Sequence, residues 1–147
     1  MRWNELDLGN KVWTVPAERM KAGREHRVPL TDRMLAILAE MQLLRCESDT
    51  KETDAFVFPG SRKGKGLSVM SLTMCMRRLK GGEFTVHGFR SAFRDWVSEE
   101  TDFAREVAEA ALAHVYGDAT ERAYRRGDAL AKRRELMNAW ERYVSSR

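Results

Sequence analysis

The chain has 147 residues, of which 43% are apolar and 33% charged, and its formal net charge is +4. This length supports one hydrophobic core, so residues 1–147 are predicted to form a single domain, and the composition excludes an intrinsically disordered chain. No apolar run is long enough to span a bilayer and no signal segment opens the chain, which predicts a cytoplasmic protein without a membrane partner.

The first part of the chain carries the strand signals. The opening stretch RWNELDLGNKVWTVP predicts strand, turn and strand around Gly9 and Asn10, and HRVPL predicts a further short strand. Thr31 or Asp32 can cap the helix that follows. AFVFPG predicts a short extended piece that ends at Pro-Gly. The apolar positions of the helix, spaced to form one buried face, are Met34, Ile37, Leu38, Met41 and Leu44.

The rest of the chain is predicted to be helical. A helix from Ser68 to about Lys80 follows the basic loop SRKGKG, and the Gly-Gly pair after it ends it. From His87 onward, apolar residues recur at helical spacing in three sets. The sets are Phe89, Phe93, Trp96 and Val97, then Phe103, Val107 and Ala111, then Leu130, Met137, Trp140 and Val144. We therefore expect an α+β fold, mainly helical, with a small antiparallel β-sheet at the N-terminal edge packed on a helical bundle.

Positive charge is gathered in two stretches of the chain. Between Ala55 and Gly82 there is no carboxylate, and a second basic group follows residue 121. Unbalanced basic clusters on a folded domain favour a polyanion such as nucleic acid, and a solvated surface is the alternative. The two groups are Arg62, Lys63, Lys65, Arg77, Arg78 and Lys80, and Arg122, Arg125, Arg126, Lys132, Arg133 and Arg134.

Several polar side chains in the helical part have the chemistry to act on a phosphate. His87 and Arg90, in HGFR, lie at i and i+3 on one helix face, and Arg94 continues that face. An arginine suits two phosphate oxygens, and a histidine can transfer a proton near neutral pH. His114 is expected at the C-terminal edge of a helix, where a cleft could open. For each of them, an ordinary surface or core side chain is the alternative.

Tyr124 lies ten residues after His114, in ATERAYRR. A phenol with a pKa near ~10 is a poor nucleophile unless nearby cations favour the phenolate, and Arg90 and the arginines around Tyr124 could do so. A helix aromatic packed on Trp140 is the alternative for Tyr124, and Tyr116 is interpreted as a packing residue.

Two further residues belong to the predicted hairpin. Lys21 is expected near its tip, where it could donate a proton to a leaving oxygen, and a plain surface lysine is the alternative. His26 is interpreted as structural.

Other catalytic motifs are not found in the sequence. It contains no P-loop, no G-x-G-x-x-G and no G-x-S-x-G. Cys46 and Cys75 do not have metal-ligand spacing and are expected to be buried thiols, and the carboxylates do not cluster as a two-metal nuclease requires. Phosphate chemistry here would have to proceed without a metal ion.

Together these segments resemble the catalytic domain of tyrosine recombinases, specifically the prophage-type integrases. The blocks RWNELDL, VPAERMKAGREHRVPL, VFPG, TVHGFRSAFRDW, EVAEAALAH and ERAYRRGDALAKRRELMNAW follow the family's order along nearly the whole chain. No single block is specific. The specific feature is the succession of Lys21, His87 with Arg90, His114 and Tyr124.

The resemblance implies site-specific DNA recombination, the integration and excision of a prophage, through a 3′-phosphotyrosine. Tyr124 would attack the scissile phosphate, and Arg90 would hold its non-bridging oxygens. Lys21 would protonate the leaving 5′-oxygen. His87 would assist proton transfer or orient the phosphate, and His114 would hydrogen-bond it. No ATP, metal or other cofactor is implied.

The resemblance also implies the partners of the protein. They are double-stranded DNA at attachment sites, further copies of the chain in a homotetramer on DNA, and DNA-bending accessory proteins of the host or phage. We expect contacts to backbone phosphates, which position a protein on DNA without specifying sequence. The residues expected to make them are Arg62, Lys63, Lys65, Arg77, Arg78, Arg94, Arg122, Arg125 and Arg126.

One part of the family pattern has no counterpart in this sequence. The family has another catalytic arginine in a helix before the first strand, and Arg2 does not match it because it belongs to a strand entry. We therefore expect the C-terminal portion of an integrase catalytic domain, without the N-terminal DNA-binding domains and first catalytic helices, and weak or inactive alone. The alternatives are a non-catalytic DNA-binding remnant of an integrase and, more distantly, a structural helical domain.

Overall fold

The computed structural model describes residues 1–45, 54–62, 64–79, 83–114 and 127–146. Within these ranges the chain forms a small antiparallel sheet and a larger set of helices, which confirms the predicted α+β class. No helix among them combines the length and apolar character needed to cross a membrane. The strands are β1 (Leu6–Asp7), β2 (Val12–Val15) and β3 (His26–Pro29). The helices are α1 (Asp32–Leu43), α2 (Ser71–Arg78), α3 (Gly88–Glu100), α4 (Arg105–Ala111) and α5 (Leu130–Ser145).

The sheet has the order β1–β2–β3. Trp13 of β2 pairs with Leu6 on one side and with Val28 on the other. The turn expected between the first two strands is present, and the Asn10 backbone N–H donates to Asp7 Oδ1 at 2.9 Å. The chain differs from the prediction before β1, where residues Trp3–Glu5 form a 3-10 turn instead of continuing the strand. That turn forms because the backbone N–H of residue 2 donates to the Glu5 carboxylate at 2.9 Å.

Helix α1 and the sheet enclose a small core. Of the two caps that the sequence offered, Thr31 or Asp32, the helix uses Thr31, whose buried hydroxyl accepts from the Met34 N–H at 3.5 Å. Leu38 is buried with Leu30 and Val57. Leu44, predicted on the apolar face, is 71% exposed because α1 ends at residue 43 and does not carry the face further.

The main core lies between α3, α4 and α5. Its rings are in contact, since Trp140 meets Phe93 edge to face at 5.3 Å between centroids and Trp96 at 5.0 Å. Phe89 and Val144 were predicted to join it but are about half exposed, because they lie in the first turn of α3 and the last turn of α5. The buried members are Phe93, Trp96, Val97, Val107, Ala108 and Leu136.

Helix α2 is shorter and more exposed than predicted. It begins at Ser71 rather than Ser68, because a turn in which the Ser71 N–H donates to the Ser68 carbonyl precedes it. None of its residues is buried. Cys75 is therefore an exposed free thiol, so the prediction that it is buried was wrong.

Candidate active site

Arg90 of α3 lies against the residues that follow α4. Its Nη2 donates to the Leu112 carbonyl oxygen at 2.7 Å and lies 2.7 Å from His114 Nε2. A guanidinium has only donors, so Nε2 must be the acceptor in this contact. The packing of α3 on α4 through the main core brings the two side chains together.

Glu109 of α4 holds the other side of the same imidazole. Its Oε2 lies 2.6 Å from His114 Nδ1, and its side chain is 8% exposed. Since Nε2 accepts from Arg90, Nδ1 carries the hydrogen and donates it to the carboxylate. Both ring nitrogens are therefore engaged, which fixes the tautomer and the orientation of the ring.

The backbone after α4 explains how His114 returns to Glu109. Ala113 has a φ of 55°, and the N–H groups of His114 and Ala113 donate to the carbonyls of Glu109 and Ala110 at 2.9 and 3.2 Å. These are the paired bonds of a Schellman motif, which usually has glycine at the left-handed position. The turn thus brings together two residues that lie too far apart in sequence for an i, i+4 helical pair.

Glu109 also binds two arginines. Arg94 Nε lies 3.1 Å from Oε1, and Arg105 Nε lies 3.9 Å from the same oxygen. The ion pairs and the histidine offset the cost of burying the carboxylate. Arg94 was predicted to contact DNA, and with 46% of its side chain exposed it retains a face toward solvent. Its DNA contact stays a prediction.

The other predicted catalytic residues lie apart from this group or outside the described residues. Lys21 is exposed in the turn between β2 and β3, and His87 is exposed at the N-terminal cap of α3. Neither side chain has a hydrogen-bond partner among the described residues. Tyr124 is outside the described residues. Of the predicted set, the structure brings together Arg90 and His114.

Strand β3 contributes a second histidine next to this group. The half-buried His26 ring lies near the Ala111 carbonyl and interacts with the charges of Arg133, Asp128 and Arg90. Burial, and after it the positive charge of Arg133, holds the pKa of His26 below its usual value. The sequence offered no signal beyond the residue type itself, because this contact depends on how β3 meets α4.

The cations predicted to bind DNA are partly described. Arg62 and Lys65 are exposed in the loop before α2, and Arg77 and Arg78 are exposed in its last turn. These side chains are accessible to a phosphate backbone. The remaining predicted contacts, which lie outside the described residues, are Lys63, Arg122, Arg125 and Arg126.

The charges of Arg90 and His114 determine which chemistry this group can carry out. Arg90 supplies a permanent positive charge at the surface where the His114 ring is 38% exposed. The guanidinium can bind the oxygens of a phosphodiester and stabilise the charge that develops as phosphorus is attacked, whereas the His114 ring, hydrogen-bonded as it is here, has no free hydrogen to donate to a phosphate. Among the described residues, no group of three or more His, Cys, Asp or Glu side chains is placed to hold a metal ion.

Comparison with known proteins adds independent information. Residues 1–130 match the sequence model of the phage integrase family. The chain is 39% identical over 147 residues to the prophage integrase IntA of Escherichia coli (strain K12), and 28% identical over 149 residues to the integrase of Shigella phage Sf6. These alignments cover 99% and 100% of the chain but 34% and 37% of the relatives, so the chain spans about a third of their length. No solved structure matches the chain with significance.

Proposed function

Because the chain belongs to the phage integrase family, we propose that it carries the DNA cleavage and rejoining chemistry of a site-specific tyrosine recombinase. The observation that supports this best is the contact between Arg90 and His114, with Glu109 behind the ring. These two residues were singled out from the sequence as phosphate-binding groups, and they meet at one exposed edge of the main core. The fold alone would not be evidence for this function, whereas an arginine and a histidine in contact at the protein surface are.

The proposed reaction exchanges one phosphoester for another. The Tyr124 phenol gives up its proton to water or to His87 and its oxygen attacks the scissile phosphorus; the bond from phosphorus to the 5′-oxygen breaks, and Lys21 gives that oxygen its proton. The products are a 3′-phosphotyrosine and a free 5′-hydroxyl, and the reverse attack rejoins the strand. Arg90 binds the non-bridging oxygens, His114 donates to one of them when its ring carries a hydrogen on Nε2 as well as on Nδ1, and His87 assists proton transfer or orients the phosphate. Because the phosphoester is conserved, the reaction needs no ATP.

The partners follow from the same proposal. The substrate is double-stranded DNA at attachment sites, and the active assembly is a tetramer of recombinase protomers on DNA, with DNA-bending proteins as accessories. The family's additional catalytic arginine has no match in this sequence. Loss of one charge-stabilising donor costs about 10²–10³ in rate in other enzymes, so cleavage by these 147 residues alone is expected to be very slow.

The experiment that tests this function places the chain within the full length of a relative. In a chimera, this chain replaces the matching 34% of IntA, and IntA itself serves as the positive control. The substrate is the DNA at which IntA integrates, with a nick close to the cleavage site so that the leaving fragment is lost. We expect a covalent protein–DNA adduct from the chimera and none from its Tyr124→Phe variant. An adduct that survives this substitution would remove Tyr124 from the mechanism.

A second candidate function is DNA binding without cleavage. The exposed cations Arg62, Lys65, Arg77 and Arg78 favour it, since they need only a polyanion as partner. It predicts that the folded chimera binds the duplex with strong salt dependence and forms no adduct at any salt concentration. Absence of binding even at low salt would count against both candidates.

A further inference from the structure

The number of hydrogens shared by His114 and Glu109 limits what these two side chains can bind. Glu109 Oε2 lies 2.6 Å from His114 Nδ1, and Arg90 Nη2 lies 2.7 Å from Nε2. A guanidinium only donates and a carboxylate only accepts, so the imidazole and the carboxylate hold one hydrogen between them, on Nδ1. The lone pair of Nε2 faces Arg90. We call His114 and Glu109 the histidine–carboxylate pair.

A phosphate oxygen cannot take the place of Arg90 at Nε2 while the pair holds one hydrogen. The oxygen is an acceptor, and so is the lone pair of Nε2. Moving the single hydrogen to Nε2 would leave Nδ1 and the buried carboxylate facing each other as two acceptors. Two arrangements avoid this: an imidazolium that donates from both nitrogens, or a ring hydrogen on Nε2 with a protonated Glu109 that donates to Nδ1. Both contain one proton more than the free pair.

The charges that face the pair oppose this additional proton in the free chain. Among the described residues, Arg90 and Arg94 of α3 contact Nε2 and Glu109 Oε1, and Arg105 of α4 lies 3.9 Å from the same oxygen. On the side of β3, His26 interacts with the charge of Arg90. Three guanidinium groups thus surround one carboxylate, and a positive charge on the ring would add to an excess of positive charge. A bound phosphate supplies the negative charge that compensates for it.

We propose that the histidine–carboxylate pair takes up one proton when the site binds a DNA phosphate, so that the affinity for DNA falls as the pH rises. The inference rests on the proposed function, in which Arg90 and His114 contact the phosphate, and adds the protonation state in which they do so. The proton belongs to the pair, because the two groups share a hydrogen bond and titrate together. His114 binds the phosphate, and Glu109 is a positioning residue that acts through the ring.

A first measurement counts the hydrogens of the ring in the whole chain without DNA. The chain has three histidines, so single substitutions assign their nitrogen NMR signals after isotope labelling. At about pH 7.5 we expect a hydrogen on Nδ1 of His114 and none on Nε2. A ring that already carries two hydrogens at that pH, or one on Nε2 alone, overturns the inference.

A second measurement counts the protons taken up on binding. The chimera carries Tyr124→Phe, which prevents cleavage, and calorimetric titrations with the DNA at which IntA integrates use buffers of different ionisation enthalpy. The difference between this parent and its His114→Gln variant removes the contribution of IntA groups. We expect a difference of about 0.5–1 proton, and a parent Kd that rises by about 3- to 10-fold per pH unit between about pH 6.5 and 8. His26→Gln is the matched control and should leave the uptake unchanged.

The variant Glu109→Gln separates proton uptake from a structural effect. A glutamine amide can donate to Nδ1 without an additional proton, so Nε2 of a neutral ring can carry the hydrogen and donate it to the phosphate. We expect Glu109→Gln to bind DNA with a Kd close to that of the parent at about pH 6.5 and to lose the dependence of Kd on pH. If Glu109 had a merely structural role, the substitution would weaken binding at every pH and leave the pH dependence in place.

The outcomes distinguish this inference from the proposed function. Proton uptake that persists in His114→Gln overturns the inference, as does uptake that disappears in His87→Gln instead. A chimera with Tyr124 intact that forms no adduct contradicts the proposed function, whereas uptake that depends on His114 in the same protein still supports the inference. A chimera that binds no DNA overturns both.

Discussion

Glu109 Oε2 lies 2.6 Å from His114 Nδ1, on the opposite side of the imidazole from Arg90 Nη2, which lies 2.7 Å from Nε2. The carboxylate is buried, whereas the histidine is partly exposed. The hydrogen-bonding state of His114 is thus set by Glu109, which lies in the block EVAEAALAH but was given no role from the sequence.

Glu109→Gln should impair chemistry more than DNA binding. A glutamine can either accept from Nδ1 or donate to it, so it no longer fixes the hydrogen on Nδ1, and the ring loses its set orientation toward Arg90 and the phosphate. We expect adduct formation by the chimera to slow by about 10- to 100-fold, the range seen when groups that orient a metal-binding histidine are lost.

The control for this substitution is Glu106→Gln, an exposed acid on the same helix. The Kd for DNA and the unfolding temperature are measured in parallel. An adduct rate equal to that of the parent would contradict an orienting role for Glu109.

Ala113→Gly should stabilise the chain. Ala113 adopts a φ of 55°, where glycine has no steric penalty, and the gain exceeds the entropy that glycine adds to the unfolded state. We expect the free energy of unfolding in urea to rise by about 0.5–1 kcal/mol. Ala131→Gly, at an exposed helical position in α5, should instead lower it by a similar amount. A loss of stability in Ala113→Gly would show that the left-handed turn is not strained.

Stability should depend on the protonation of His26. Burial, and after it the positive charges of Arg133 and Arg90, lower the pKa of His26 in the folded state. The Ala111 carbonyl and the negative charge of Asp128 act in the opposite direction but do not outweigh them. Between that depressed pKa and the unfolded value near ~6.5, the unfolded chain binds more protons, so the free energy of unfolding falls as the pH falls.

The measurement is the free energy of unfolding as a function of pH, compared between the parent and His26→Gln. The parent should lose stability relative to the variant as the pH drops below about 6.5 and keep a constant difference above it. The exposed His87, changed to Gln, is the control. The Asp128 carboxyl contributes to the pH dependence of stability only at lower pH. Burial alone would raise its pKa, but the hydrogen bonds and charges of Arg27 and Arg133 lower it. If the free energy of unfolding changed with pH in the same way in the parent and in His26→Gln, His26 would not contribute to the pH dependence of stability.

The exposed arginines at the end of α2 should contribute to DNA affinity through phosphates alone. For the double substitution Arg77→Gln and Arg78→Gln, the slope of log K against log salt should flatten by about 1.8, since each phosphate contact contributes about 0.9. Affinity should fall similarly for unrelated duplexes. Arg33→Gln with Arg142→Gln removes the same charge from α1 and α5 and serves as control. A sequence-dependent loss would instead indicate base contacts.

The sequence predicted most elements because their signals are local. The turn at Asn10, the cap at Thr31 and the helical spacing around Phe93 each depend on neighbouring residues, and all three are confirmed. Ends of helices were less predictable, and Phe89 illustrates why: a residue with the right spacing is buried only if the partner element reaches its turn of the helix.

The residue types of the site were predictable from the sequence, but the side chains that hold them in place were not. Glu109 was missed because the left-handed turn that returns His114 to it contains alanine, where glycine would have given a signal. Arg133 was counted in a basic cluster, yet it is buried and bound to the Arg27 carbonyl, 106 residues away in sequence. Such long-range contacts depend on packing, which composition and spacing do not encode.

The most direct test of the account identifies the residue that becomes linked to DNA. The adduct of the chimera is digested with protease and nuclease, and the nucleotide-bearing peptide is sequenced by mass spectrometry. We expect a nucleotide joined through its 3′-phosphate to Tyr124. A nucleotide on any other residue, Tyr116 included, or a folded chimera that binds the duplex without any adduct, would contradict it.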